Sequence, residues 1–561
     1  MVSVSFWRKL SLTAAALLFL LAWLLPNHYA PWVAAYQDLL SFSALIFLLL
    51  ACLSKGGVAI APSLGFFFVL PLIPLVQLSS GVVFFSGDAW IASAYLFGFA
   101  MALVAGYNLS KQPEVQKVFF FRIIAAVLIF GAVVSVWIAL RQWLMLAGNI
   151  WTADLELGRR PYANLAQPNN LATLLCLGLA GTLYFYEKYL LGRLGASLLA
   201  AYLLFGVALT QSRTPWVGAL AVVVFWAWVG VRVPRRLPVL KLLGWVALYV
   251  FLVISLPSLA KALLISDELV IRMGASERIE MWRQICLAIV NGPLWGYGWN
   301  QVSVAQIGVS LEYVVPMPTE HSHNLLLDLL VWNGPILGAV IIFYVLIWLC
   351  RLYWRARSSE SLFALVATGL ILVHGMLEYP LEYAFFLLPA GVFLGIAVAE
   401  GRQGVPVFAL PRWMFGLIVF AGAGLLGWVG REYLILEGSY RQMRFERARL
   451  ADATSVKSTP EVMVISQLRE YMRFARTQPD ASMTAESIEW MRRVAYRYPY
   501  PSSLFRYALA LGLNGQPVAA REQLRVIKAL HGDGYAQEGV QVLRTMSVHH
   551  PELSAVIREP L

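Results

Sequence analysis

Long uncharged apolar runs recur along the first three quarters of the chain, separated by short polar connections. A helix of about 20 mostly apolar residues crosses the hydrocarbon core of a bilayer. Runs of this kind fall at 9–25, 38–53, 59–77, 89–107, 118–139, 169–186, 194–210, 214–231, 241–257, 325–349, 361–377, 382–399 and 412–429. They predict an all-α fold, a polytopic membrane helix bundle of about thirteen spans. Two stretches interrupt the pattern, a loop at 258–324 and the tail 431–561. Within the tail, 503–513 and 519–530 read as two amphipathic helices joined at a glycine-containing turn. That pair resembles a tetratricopeptide hairpin of one or two repeats at most; a generic helical hairpin is the other reading. The expected organisation is a transmembrane part, 1–430, carrying the loop, followed by a C-terminal helical domain, 431–561.

Composition supports lipid as the main solvent. The 561 residues are 60% hydrophobic and 13% charged, with mean hydropathy +0.69, against roughly 25% charged in soluble domains. A net charge of +12 would suit nucleic acid, but the basic residues sit in the connections, where they set orientation and not a nucleic-acid surface. Sixteen, from Arg8 and Lys9 through Lys117, Arg236 and Arg355 to Arg412, fall on one side; Arg141, Arg159, Arg160 and Arg213 fall on the other. Basic residues concentrate on the cytoplasmic side, so the N-terminus is expected in the cytoplasm of a bacterial inner membrane. The loop and tail are then periplasmic. The apolar run after Lys9 has no small-x-small cleavage site beyond Pro26 and reads as an uncleaved first helix. The four cysteines form no C-x-x-C pair and suggest neither a disulfide framework nor a zinc knuckle.

The candidate chemistry gathers on the outer face. Arg213, in Gln211-Ser-Arg-Thr-Pro215, stands against the orientation rule. It either snorkels to lipid phosphates or presents a fixed cation to an anionic substrate such as a phosphate. Arg160 begins a segment reaching Gln167-Pro-Asn169-Asn170, where a proline-led helix start coincides with amides suited to a hydroxyl-rich ligand. Arg278 and Trp282 are four apart and share a helix face, with Glu280 between them. Glu320-His321-Ser-His323-Asn324 precedes an apolar helix. Histidines two apart cannot lie on one helix face, so this is no helical zinc pair. It is either a surface helix start or an imidazole able to take a proton from an attacking hydroxyl. Glu378 and Tyr379, with Glu382 and Tyr383, sit in a tight outer turn. Carboxylates there call for partners, and the outer arginines are the expected ones. The eight aspartates are never two apart, so no D-x-D metal motif exists and no metal or other cofactor is expected.

Gln167-Pro-Asn-Asn, Ser212-Arg-Thr, Arg278-Ile-Glu-Met-Trp with Gly296-Tyr-Gly-Trp-Asn, His321-Ser-His-Asn and Met376-Leu-Glu-Tyr-Pro-Leu occur in this order. In register over about 160–400, they resemble the PglL-type O-oligosaccharyltransferases, within the larger group of O-antigen ligases and Wzy-type polymerases. The resemblance implies en bloc transfer of a glycan from undecaprenyl diphosphate to a Ser or Thr hydroxyl of a periplasmic or pilin-like protein. By similarity His323 is the essential histidine, and Arg213 and Arg278 are the catalytic arginines at the diphosphate. Gln167, Asn169, Asn170, Arg160, Glu280, His321, Glu378 and Tyr379 are the expected substrate-binding residues. Pro168 stands where some relatives carry arginine, and Gly375 where serine is more usual. An O-antigen ligase or Wzy-type polymerase shares the donor and differs in the acceptor. A lipid-linked sugar flippase is a reading of another class, but the middles of the spans are nearly free of charge. The tail is expected to recruit the acceptor protein separably, so that its deletion would leave transfer to free peptide intact.

Overall fold

The protein is described from a computed structural model, over residues 4–53, 57–146, 148–156, 159–230, 232–265, 275–401, 408–447 and 458–558. Lys55, Arg402 and the loop segment 266–274 lie outside the described residues. Every predicted run but 59–77 coincides with helix over nearly all its length. Without water, backbone N–H and C=O groups must bond within their own segment, and a helix achieves that. Among the described residues, eight helical segments are long and apolar enough to cross a membrane, including Ser86–Ser110, Glu114–Trp143, Val239–Ala262 and Leu325–Arg355. Arg193–Leu209, Thr214–Val229, Ser359–Gly375 and Ala384–Glu400 are shorter apolar helices, and Pro168–Glu187 completes the series.

Three runs differ in detail from the sequence expectation. The stretch 59–77 is not one helix: a strand, Val58–Ile60, is followed by a 3-10 turn and by helices Gly65–Val69 and Leu72–Ser79. Pro62 starts the 3-10 turn and Pro71 falls in the break between the two helices, each without an N–H to donate. The strand pairs antiparallel with Phe408–Leu410, Val58 opposite Leu410, a small ribbon absent from the all-α expectation. Leu325–Arg355 is kinked at Gly334 (φ 75°), directly before Pro335. The run 412–429 is the first half of a 36-residue helix, Arg412–Arg447.

The chain forms two compact units. The first comprises Met1–Pro71, Ala94–Arg272 and Leu346–Gly430. Its helices pack closely through small residues, as membrane interfaces require. A Cβ on Gly106 would stand 2.1 Å from the Val392 carbonyl oxygen, and one on Gly395 the same distance from that of Leu103. The second unit comprises Leu72–Ser93, Met273–Val345 and Arg431–Leu561. Its core is the packed face of successive tail helices, including Met491, Val494, Leu504, Leu524 and Leu543. Helices Pro501–Leu513 and Pro517–His531 form the predicted hairpin, flanked by Ala485–Arg497 and Asp533–Met546.

Candidate active site

In the first unit, the segment leading to Gln167 is fixed by two buried amides. Gln142 donates to the carbonyls of Ala153 and Ala163, both at 2.9 Å, and accepts from the Ala163 N–H at 2.8 Å. Asn164 donates to the Trp151 carbonyl and accepts from the Ala153 N–H. These contacts bracket Ala163, which sits in the left-handed region at φ 51°, as does Ala166 at φ 58°. Such conformations cost on the order of 1–3 kcal/mol at a non-glycine residue and persist only where the surroundings enforce them.

Pro168–Glu187 then starts with Gln167 as its N-cap and Pro168 in the first turn, where a missing N–H costs nothing. Arg160 Nη1 donates to the Gln211 carbonyl at 3.4 Å, tying this segment to the 211–215 turn. Ser212 Oγ donates to Asn169 Oδ1. Asn169 Nδ2 in turn donates to Glu378 Oε1 at 3.0 Å, and Gln167 Nε2 to Glu378 Oε2 at 3.4 Å. Asn170 donates to the Leu165 carbonyl at 3.4 Å. Thr173 Oγ1 and His374 Nδ1 lie 2.8 Å apart, linking the same two helical segments one turn deeper.

The first unit thus brings Arg160, Gln167, Asn169, the Arg213 turn and Glu378 into one polar cluster. Asn169 and Asn170 are buried within it and bond to protein. The amides of Gln167 and Asn169 both donate to Glu378. Tyr379 stacks near Tyr383, ring centroids 6.1 Å apart. Arg213 is exposed, as N-cap of Thr214–Val229. Its guanidinium and the positive end of the helix dipole both favour an anion there. Replacing Glu378 by alanine would leave the buried Asn169 amide and the half-buried Gln167 amide without this acceptor, a loss of about 1–3 kcal/mol. Thermal unfolding should show Glu378→Ala well below wild type and Glu378→Gln between them.

The second unit holds Arg278, Glu280, His321 and His323. Arg278 and Trp282 lie on helix Ala275–Asn291. The Trp282 indole N–H donates to the Ser322 carbonyl at 2.8 Å, so the helix face bearing Arg278 meets the histidine loop. Glu280 pairs with Arg283 at 2.7 Å and accepts from the Tyr313 hydroxyl. The loop is braced from several directions. Gln306 accepts from the Thr319 N–H at 2.9 Å, and Asp328 from the Ser322 N–H at 2.8 Å. His323 is held at φ 54°. Sequence reasoning missed Gln142, Gln306 and Asp328, because lone polar residues in apolar or amphipathic runs carry no local motif.

Burial, then the Arg497 guanidinium and His323, push the His321 imidazole down to about 3. In the unfolded chain a histidine titrates near ~6.5. Below that pH the unfolded chain binds a proton that the folded chain refuses, so stability falls as pH drops from about 6.5 towards 3. A His321→Asn variant should lose thermal stability less steeply between pH 6.5 and 4. Equal slopes in the two proteins would contradict this.

Comparison with known proteins places this membrane helix bundle among the glycan ligases and polymerases. The O-antigen ligase family matches residues 198–343, and the C-terminal region of the virulence factor membrane-bound polymerases matches residues 362–544. Over 97% of both chains, the protein is 31% identical to a general O-oligosaccharyltransferase of Acinetobacter baylyi. It is 26% identical to a ComP-specific O-oligosaccharyltransferase of the same organism, over 87% of this chain and 88% of the relative. The chain belongs to the O-oligosaccharyltransferase family.

Proposed function

We propose that this protein transfers a preassembled oligosaccharide en bloc from undecaprenyl diphosphate to Ser or Thr hydroxyls of a periplasmic or pilin-like protein. The observation that carries this reading is the end-to-end kinship with a general O-oligosaccharyltransferase. The distribution of basic residues supports an inner-membrane location, with the N-terminus in the cytoplasm and the chemistry at the periplasmic face. An apolar cleft in the first unit, lined by Leu179, Leu204, Pro215, Val222, Trp245 and Leu370, suits a polyprenyl chain. Pro215 lies two residues beyond Arg213, so a chain in this cleft would have its headgroup end near that guanidinium.

In the proposed reaction the acceptor oxygen attacks the anomeric carbon as the bond from that carbon to the phosphate oxygen breaks. The leaving lipid diphosphate takes the electron pair. His323 receives the hydroxyl proton, and Arg213 and Arg278 bind the diphosphate more strongly as its charge grows. Guanidinium groups then do the work a divalent cation does elsewhere, and the reaction is metal-independent. Glu378, with Gln167 and Asn169, shapes the surface beside Arg213, while Tyr379 contacts glycan or phosphate. The match to O-antigen ligases keeps one other acceptor in view, a lipid A core sugar. Mass spectrometry of periplasmic proteins and of lipopolysaccharide, with and without the gene, separates the two. Glycopeptides that vanish on deletion support this reading; loss of glycan from lipopolysaccharide alone overturns it.

A further inference from the structure

The second unit contains an ion cluster, buried at Arg497 and Asp88 and open to solvent at Glu320, that the proposed chemistry does not use. Arg497 ends the tail helix Ala485–Arg497. Its guanidinium grips Asp88, with Nε 3.2 Å from both carboxylate oxygens and Nη2 3.0 Å from one. Nη1 lies 3.7 Å from Glu320 Oε2. The Tyr500 hydroxyl donates to the other Glu320 oxygen at 3.3 Å. Ser303 Oγ donates to the carbonyls of Tyr496 and Arg497, at 2.9 and 3.2 Å, fixing the helix end from which the arginine projects.

One of the two carboxylates, Glu320, immediately precedes the His321-Ser-His323 segment. Arg497 is 9% exposed and Asp88 2%. A buried charge pair of this kind adds little net stability when intact, but losing one member strands the other charge in a dry site, so the geometry is strongly specified. The left-handed turn at His323 needs such enforcement. Trp282 and Asp328 hold it at Ser322, and the tail holds it at Glu320.

We propose that Arg497, assisted by Tyr500, is a positioning residue for His323: the tail clamps Glu320 and so sets the loop that carries the proton acceptor. The proposal rests on His323 being that acceptor. It changes the expected role of the tail, which becomes a working part of the catalytic unit and not a separable recruiting module. Deletion of 431–561 should then abolish transfer to free peptide as well as to protein.

The test uses the full-length protein reconstituted in vesicles, with a synthetic polyprenyl-diphosphate glycan and an acceptor peptide. Misplacing a catalytic group by about an ångström lowers turnover by roughly 10²-fold. Arg497→Gln and Glu320→Ala should therefore lower kcat by about that factor, with KM for donor and peptide within about twofold. Arg497→Lys should restore part of kcat, since an ammonium can still pair with Asp88. Glu320→Ala leaves the tail helix untouched and decides the matter if Arg497→Gln does not fold. In a His323→Ala background, Glu320→Ala should add no further loss, because both act through one group. Wild-type kcat in Glu320→Ala, or losses that multiply in the double variant, would overturn the proposal. Wild-type transfer by His323→Ala alone would instead remove the base assignment beneath it.

Discussion

A full-length chain carrying His323→Ala is expected to insert normally and to lose glycan transfer by about 10²–10⁴-fold, the usual contribution of a general base. The expectation follows from where the loop puts this residue. Ser322 is anchored on both sides, through its carbonyl to Trp282 and its N–H to Asp328. His323 follows in the left-handed region, where a side chain is carried only if something holds it there. Burial and the Arg497 guanidinium disfavour the protonated form of its neighbour His321, which makes that ring a poor proton acceptor. Of the two imidazoles, His323 is therefore the one assigned to the acceptor hydroxyl. His321→Asn should retain far more activity than His323→Ala in a reconstituted transfer assay. The reverse order would show that the assignment had been made to the wrong ring.

Arg213→Ala is expected to have the second large effect, a fall in kcat of roughly 10²–10³-fold, comparable to removing one preorganised donor from a developing oxyanion. Arg213 starts helix Thr214–Val229, and the adjoining Ser212 is tied through Asn169 to Glu378. The guanidinium thus projects from a fixed turn beside the apolar cleft that Pro215 helps line. If it stabilises the leaving diphosphate as charge develops, kcat should fall more than KM for the donor rises. Arg213→Lys should recover only part, since an ammonium cannot reproduce the fork that grips two phosphate oxygens. A variant with raised KM and unchanged kcat would show instead that Arg213 only snorkels to lipid or holds the substrate loosely.

Hydrophobic periodicity made most of the fold legible, since a run long enough to cross a bilayer can satisfy its backbone only as a helix. The limits lay where single residues overrule the pattern. Pro62 and Pro71 break the run 59–77, and Gly334 before Pro335 kinks the run 325–349. The candidate residues stood out as motifs because short segments with unusual polar residues contrast with apolar flanks. Gln167-Pro168 marks a helix start, and Arg278 with Trp282 marks one helix face, both as found. Which groups bond to which was not legible. Asp88 and Arg497 are 409 positions apart, and nothing local to either predicts the other. The same holds for Glu378, whose amide partners lie in another membrane helix and its cap.

The most direct test of the central claim follows both products of one turnover. Purified full-length protein in vesicles would receive a polyprenyl-diphosphate-linked oligosaccharide and an acceptor protein bearing a single Ser. The account predicts one lipid diphosphate released for every glycan found on the Ser oxygen, at a rate that collapses in His323→Ala and Arg213→Ala. Donor that crosses the bilayer intact, or diphosphate released with no glycan on the hydroxyl, would contradict it.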